Sequence, residues 1–223
     1  MGSEPGALRN AGLVIFDWDG TLYRSIDLIQ SSIVAAGHKV GAEISSEIAR
    51  SIIGLGLKAA QKLLFPEKTG EEKAFFTAFH LAYRRHYEAG EAAIKLYEGA
   101  YDLIAALHAQ GRRVAVATAK SRAGIDRSLE TTGLSAFVRH TRTPEECLPK
   151  PNPQMIHEIL AESGFTAEQA VMVGDTTHDL QMAINAGVAA VGISHGAHSH
   201  EDLAALEVAA VCRSISELKE LIV

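Results

Sequence analysis

Only two cysteines occur in this 223-residue chain, Cys147 and Cys212, and they lie far apart. They offer neither a disulfide framework nor the close pairs of a metal-binding motif, and read as reduced structural thiols of a cytoplasmic protein. Long apolar runs are also missing. Gly, His or a charged residue interrupts each one well short of the ~20 residues that a membrane-spanning helix needs. Residues 1–10 are small and polar, with no apolar signal-peptide core, and Gly6 stands where a myristoylation pattern needs Ser or Thr. Met1, Gly2 and Ser3 have the composition of an expression scar. A large excess of one charge is absent too. A net charge of -6 gives no electrostatic draw toward nucleic acid, so an anionic substrate would be held locally, by a few placed cations or a metal.

What is present is apolar material, 47% of the chain, enough for one large domain or a domain with an appendage. Leu13-Val14-Ile15-Phe16 reads as a buried strand ending at Asp17. Further strands are expected at Val114–Ala117 before Thr118, Ala170–Val173 before Gly174-Asp175, and Ala189–Ile193 before Ser194-His195. A fifth is expected at Val208–Cys212 and a weak one at Phe137-Val138. Helical patterns fall between them at 101–107, with Gly111 as a stop, and at 124–131, 153–162 and 177–185. Such alternation predicts an α/β fold, a parallel sheet covered on both faces, with ligands bound outside the carboxyl ends of the strands. Residues 23–96 break the alternation. Ile26-Ile29-Ile33, Ile44-Ile48-Ile52, Leu57-Leu64 and Phe75-Phe79-Tyr83-Tyr87 have helical spacing, which predicts a helical insert hinged near Tyr23-Ser25 and Ala92-Lys95.

Four strand ends or loops carry chemistry. Asp17 and Asp19 leave an extended strand on the same side, and can hold a hard cation or divide into nucleophile and general acid. Gly20 permits a sharp turn that brings bare amides near a phosphate. Thr118, with Ala119, Lys120 and Ser121, offers a hydroxyl and free amides. Lys150, in Pro149-Lys150-Pro151-Asn152-Pro153, delivers an ammonium from a stiff loop. Asp175 and Asp179 lie one helical turn apart and can face one site. Each also has a plain structural reading: a polar turn, a helix cap, a surface lysine in a proline-rich loop, and carboxylates at a helix N-terminus.

In order, Asp-x-Asp-Gly-Thr, Thr, Lys-Pro-x-Pro and Gly-Asp-x-x-x-Asp resemble the motifs of the haloacid dehalogenase superfamily over nearly the whole chain. Gly54-Leu55-Gly56-Leu57, with Tyr83-Arg84-Arg85-His86-Tyr87 before Leu96-Tyr97-Glu98-Gly99, is similar to its phosphoglycolate phosphatase-like branch. That resemblance implies a Rossmann-like core at 1–22 and 95–223 with a small helical cap domain at 23–94. It implies Mg2+-dependent hydrolysis of a small phosphate ester through an aspartyl-phosphate on Asp17. Asp19 would act as acid and then base, and its carbonyl would reach the metal beside Asp17 and Asp175. Thr118, Ala119, Gly20 and Lys150 would hold the phosphoryl group, with Thr21, Gly174 and Asp179 in support. Cap cations such as Lys58, Arg84 and Arg85 could read an acidic substrate or simply be solvated helix charges.

Asp19 favours phosphate esters over dehalogenase chemistry, but a sugar-phosphate phosphomutase keeps both aspartates and remains an alternative. A phosphoaspartate receiver module fits less well, because its acceptor Asp ends a later strand and it carries no helical insert. His195, His198 and His200 read as a loop at the crevice rim, with Ser199 capping a following helix, more readily than as a transition-metal site. Trp18 points away from the two aspartates and reads as packing, with an N–H in need of a partner.

Overall fold

Leu13, Val14, Ile15 and Phe16 are all fully buried, as expected of a strand covered on both faces. In the computed structural model, which describes residues 5–68 and 72–223, they form β1 (Leu13–Phe16), preceded by a short helix α1 (Pro5–Asn10). The expectation for Met1–Ser3 lies outside the described residues. Four helices follow: α2 (Ile26–Lys39), α3 (Ser46–Ser51), α4 (Leu57–Leu64) and α5 (Lys73–Glu91). The chain then alternates through α6 (Ala100–Ala109), β2 (Arg113–Ala117), α7 (Arg122–Thr132), β3 (Val138–Arg142) and α8 (Gln154–Ser163). A 3-10 turn at Ala167–Gln169 leads to β4 (Ala170–Gly174), α9 (Thr177–Asn185), β5 (Ala189–Ile193), α10 (His200–Ala204), β6 (Ala210–Cys212) and α11 (Ile215–Ile222).

The six strands make one parallel sheet in the order β3-β2-β1-β4-β5-β6. This is the α/β, Rossmann-like architecture read from the sequence. Alternate residues of β1 serve opposite faces. Val14 and Phe16 pack with α6, α7 and α11 through Leu103, Leu107, Ile125 and Leu218. Leu13 and Ile15 pack with α8 and α9 through Met155, Ile159 and Leu180. Successive connections run to opposite sides of β1, so a crevice opens between the carboxyl ends of β1 and its neighbours, where such sheets bind ligands.

Two local expectations shift. The weak strand at Phe137-Val138 is the start of β3, whose Arg139, His140 and Arg142 hide it from a hydrophobic pattern because it is an edge strand with little burial. The strand expected from Val208 begins at Ala210. Both cysteines are buried and free, and no helix among the described residues is long and apolar enough to cross a membrane.

Helices α2–α5 form the insert and bury their own cluster, which includes Ile29 and Ile33 and in which Phe76 and Phe79 meet Phe65 edge-on. The Ile44-Ile48-Ile52 spacing misleads here. Ile44 and Ile52 are buried outside α3, while Ile48, inside it, is 51% exposed. Where the chain leaves and re-enters the sheet layer the two crossings are tied together: Arg24 N donates to Lys95 O at 3.0 Å and Tyr97 N to Leu22 O at 2.9 Å.

Because Phe79 is fully buried in this cluster and packs edge-on against Phe65, Phe79→Ala is expected to lower unfolding stability by ~3–5 kcal/mol in urea titrations. Leu63→Ala, at a residue 62% exposed, should stay within about 0.5 kcal/mol of wild type.

Candidate active site

Asp17 continues β1 by one residue, its N–H donating to Val173 O at 2.9 Å, so its carboxyl group leaves the sheet edge on a fixed backbone. The chain then doubles back: Trp18 O accepts from the N–H groups of Thr21, Leu22 and Tyr23. Gly20 makes this turn with φ 87°, and a Cβ there would collide with Asp175 Oδ2. Thr21 Oγ1 donates to Asp175 Oδ1 at 2.8 Å, and Ala197 N to Asp175 Oδ2 at 2.7 Å. Gly174 ends β4, where a Cβ would strike the side chain of Asp179. Asp179, at the third position of α9, shares a reciprocal cap with Thr176: Thr176 N and Oγ1 donate to Asp179 Oδ2 at 3.0 and 2.7 Å.

Lys150 enters from the loop before α8. Its Nζ donates to Asp17 Oδ1 at 2.7 Å and to Asp179 Oδ1 at 2.5 Å. Asn185 Nδ2 holds the same loop by donating to Pro151 O at 3.0 Å. All four groups are buried, so with all three carboxyls ionised one ammonium would leave two negative charges unbalanced. Burial and Asp179 raise the Asp17 carboxyl well above the usual range, although Lys150 opposes the shift. Burial and Asp179 likewise push Asp175 up to about 7. For Lys150, burial acts to lower the ammonium, but Asp17 and Asp179 outweigh it and raise it.

The Asp19 carboxylate stands apart from this cluster. Ser25 Oγ donates to its Oδ1 at 2.6 Å, and Lys120 Nζ lies 3.1 Å from Oδ1 and 3.3 Å from Oδ2. Thr118, at the end of β2, is buried, and its Oγ1 accepts from Lys120 N at 3.1 Å. Ser121 caps α7 by accepting from Gly124 N. Asp17, Asp19, Thr118, Ala119 and Lys120 line a cavity of about 560 Å3, closed on the far side by the insert through Ile33, Gly54, Lys58, His80, Arg84 and Tyr87. Lys58 and Arg84 thus reach the cavity wall and Arg85 does not.

A family model described as haloacid dehalogenase-like hydrolase matches residues 14–193. The chain belongs to the haloacid dehalogenase-like hydrolases. It is 34% identical over 210 residues to "Probable phosphatase IndB" of Dickeya dadantii, covering 92% of this chain and 91% of that one. It is 29% identical over 211 residues to "Pyrophosphatase PpaX" of Anoxybacillus flavithermus, covering 94% and 95%. Its fold matches the crystal structure of a predicted phosphoglycolate phosphatase from Haemophilus somnus with a TM-score of 0.82 at 23% identity, over 95% and 98% of the two chains.

In this hydrolase the donor set suits a hard divalent cation. One carboxylate oxygen from each of Asp17, Asp175 and Asp179 lies within 4.8 Å of the other two, and among the described residues no other group of acidic, His or Cys side chains is so arranged. The histidine cluster does not converge. His195 stacks on Tyr97 with centroids 3.7 Å apart, and its Nε2 lies 3.0 Å from Thr21 O, where it braces the first loop. His198 Nδ1 accepts from Thr177 N at 3.1 Å. Ser199 caps α10, as expected. Trp18 is buried and stacks on Tyr23, but its indole N–H finds no partner among the described residues.

Sequence reasoning missed three contributors. The sequence suggests only an amide role for Lys120, although the logic that pairs Asp17 with Asp19 also pairs Thr118 with a residue two further on. Tyr87 was read as one helical apolar position, yet its hydroxyl accepts from Lys120 Nζ at 2.6 Å. Arg50 of α3 donates to Ala197 O at 2.9 Å and Gly196 O at 2.5 Å, fastening the insert to the loop that holds Asp175.

The raised Asp175 carboxyl has a pH signature. Between its ordinary value of 3.8 and about 7, the unfolded chain is ionised while the folded one keeps the proton, so metal-free stability falls as pH rises through that window. Urea midpoints measured without metal should decline as pH rises from 4 through 7, with the raised Asp17 carboxyl acting in the same direction. A saturating divalent cation, which binds the ionised cluster, should raise the midpoint more at pH 8 than at pH 5.

Proposed function

We propose that this hydrolase is a Mg2+-dependent phosphatase that removes the phosphoryl group of a small phosphorylated metabolite by way of an aspartyl-phosphate on Asp17. The observation that carries this reading is the state of the Asp17 carboxylate. Oδ1 is held by Lys150, while Oδ2 accepts no hydrogen bond among the described residues and the residue opens onto the cavity. A carboxylate fixed by one oxygen and free at the other is prepared to attack phosphorus.

Each neighbour then has a task. The Lys150 ammonium offsets repulsion between the attacking carboxylate and the phosphate dianion. The Thr118 hydroxyl and the backbone at Ala119 and Gly20 hold phosphoryl oxygens. Asp19 gives a proton to the leaving oxygen as the oxygen–phosphorus bond breaks, and later takes one from the water that attacks the acyl phosphate. Thr21, Gly174 and Asp179 support Asp175 and Lys150. Asp17, Asp175 and the Asp19 carbonyl would hold Mg2+, which when bound supplies charge neutralisation and orientation at the phosphoryl group. Oxygen-only donors and the surplus negative charge of the buried cluster support that metal.

Residues 23–94 act as the cap over a core formed by 1–22 and 95–223. Closure excludes water and surrounds the leaving group. The cavity accommodates a metabolite-sized ester, and Lys58 and Arg84 on its insert wall suit a leaving group that carries an acidic function, of which phosphoglycolate is one example. The phosphatase and pyrophosphatase names of two relatives support transfer of a phosphoryl group to water.

Purified protein should release phosphate from p-nitrophenyl phosphate with Mg2+ over many turnovers, and lose this with EDTA. Asp17→Asn should abolish turnover, and Asp19→Asn should lower it ~10^2–10^4-fold. A single stoichiometric burst, or interconversion of hexose phosphates without release of phosphate, would replace the phosphatase reading with a receiver or a phosphomutase.

A further inference from the structure

Lys120 has no part in the chemistry described so far, yet its side chain is only 7% exposed and its ammonium is ion-paired with Asp19. A buried ammonium needs partners, and Lys120 has two kinds. On the sheet side it meets both oxygens of Asp19; on the insert side it donates to the Tyr87 hydroxyl at 2.6 Å. It also lies 4.5 Å from the centroid of the Tyr87 ring and 5.5 Å from that of Tyr23. Tyr83 stacks on Tyr87 with centroids 6.0 Å apart, which limits where that ring can go. Burial, and next the Asp19 charge, push the Tyr87 phenol well above its ordinary value, so it stays a neutral hydroxyl beside the ammonium.

The arrangement treats the two oxygens of Asp19 differently. Oδ1 receives both Ser25 Oγ and Lys120 Nζ, at 2.6 and 3.1 Å, whereas Oδ2 has only the longer 3.3 Å approach of Lys120. Oδ2 is therefore the oxygen left to carry a proton. Ser25 belongs to the crossing into the insert and Tyr87 to α5, so two of the three groups that fix Asp19 depend on where the insert sits.

We propose that Lys120 is a positioning residue for Asp19. It clamps one carboxyl oxygen so that the other faces the leaving group, and Tyr87 completes the clamp when the insert is closed. This rests on Asp19 as the acid of the proposed phosphatase. In the step concerned, the proton on Asp19 Oδ2 passes to the bridging ester oxygen while that oxygen leaves phosphorus and Asp17 bonds to it. A closed insert would thus set proton delivery in place only when a substrate is enclosed.

Positioning of an acid is felt most where the leaving group needs a proton. Lys120→Met, Lys120→Arg and Tyr87→Phe are compared with wild type on p-nitrophenyl phosphate, whose leaving group departs as a stable anion. The comparison substrate is the best-accepted alkyl phosphate among phosphoglycolate, glycerol phosphate and glucose phosphate. Lys120→Met is expected to lose kcat ~100-fold on the alkyl ester and under about fivefold on the aryl ester, a gap drawn from what general acids contribute. Lys120→Arg should recover most of the loss. Tyr87→Phe, which deletes one hydroxyl and keeps the ring, should show the same selectivity at about tenfold, and it keeps the test decisive if Lys120→Met does not fold. Equal losses on both substrates in Lys120→Met or Tyr87→Phe would overturn this inference while leaving the phosphatase reading in place. A wild type that turns over neither substrate would overturn both.

Discussion

Three buried carboxylates converge on one buried ammonium, and the rest of the molecule is arranged to make that tolerable. Isolated, any of these charges would be expelled or neutralised by a shift in protonation. Here each has assigned donors. Asp179 spends both oxygens on Lys150 and Thr176, and Asp175 on Thr21 and the Ala197 amide. Only Asp17 keeps an oxygen free of hydrogen bonds among the described residues. The electrostatic strain of the cluster is therefore concentrated at one atom, at the edge of a cavity, where an incoming phosphorus or a cation can relieve it.

This concentration requires rigidity, and the sheet supplies it. Asp17 extends the central strand and Asp175 follows β4, its neighbour, so the spacing of the two carboxylates is set by ladder hydrogen bonds rather than by loop conformation. Gly20 and Gly196 let two loops close over Asp175 so tightly that a Cβ at either would overlap its carboxylate. The close approach leaves no room for solvent to screen the pair, which is why burial heads the causes that raise both carboxyls.

Much of this was legible in the sequence because it is local. Continuous apolar runs marked β1, β2, β4 and β5, and the polar residue after each run marked the crevice. Thr177–Asn185 emerged as a helix with the bounds read from its pattern. What escaped is what distant segments impose. Edge strand β3 carries polar side chains on all but its first position, and the run from Ile44 to Ile52 is a buried pair around an exposed residue rather than one helical stripe. Lys120, Tyr87 and Arg50 matter only because the insert folds back onto the strand ends, and no spacing along the chain encodes that meeting.

The way the insert is fastened fits the closure proposed for it. Its helices bury their apolar faces on one another, α2 chiefly against α5, and among the described residues none forms an extended seam with a strand or helix of the sheet layer. Its attachments are chiefly polar and discrete: Arg50 to two carbonyls, Tyr87 to Lys120, and Glu91 to Arg127, with Ala197 of the loop after β5 also in its apolar cluster. Polar contacts can exchange for water at small net cost, whereas an apolar seam would expose surface at ~25 cal/mol per Å2. Lifting the insert, as the proposed closure requires, would therefore leave its own apolar cluster intact. Its polar fastenings lie on the groups that hold Asp175 and Asp19, so in the proposed cycle closing over a substrate would make the same contacts that order those two carboxyls.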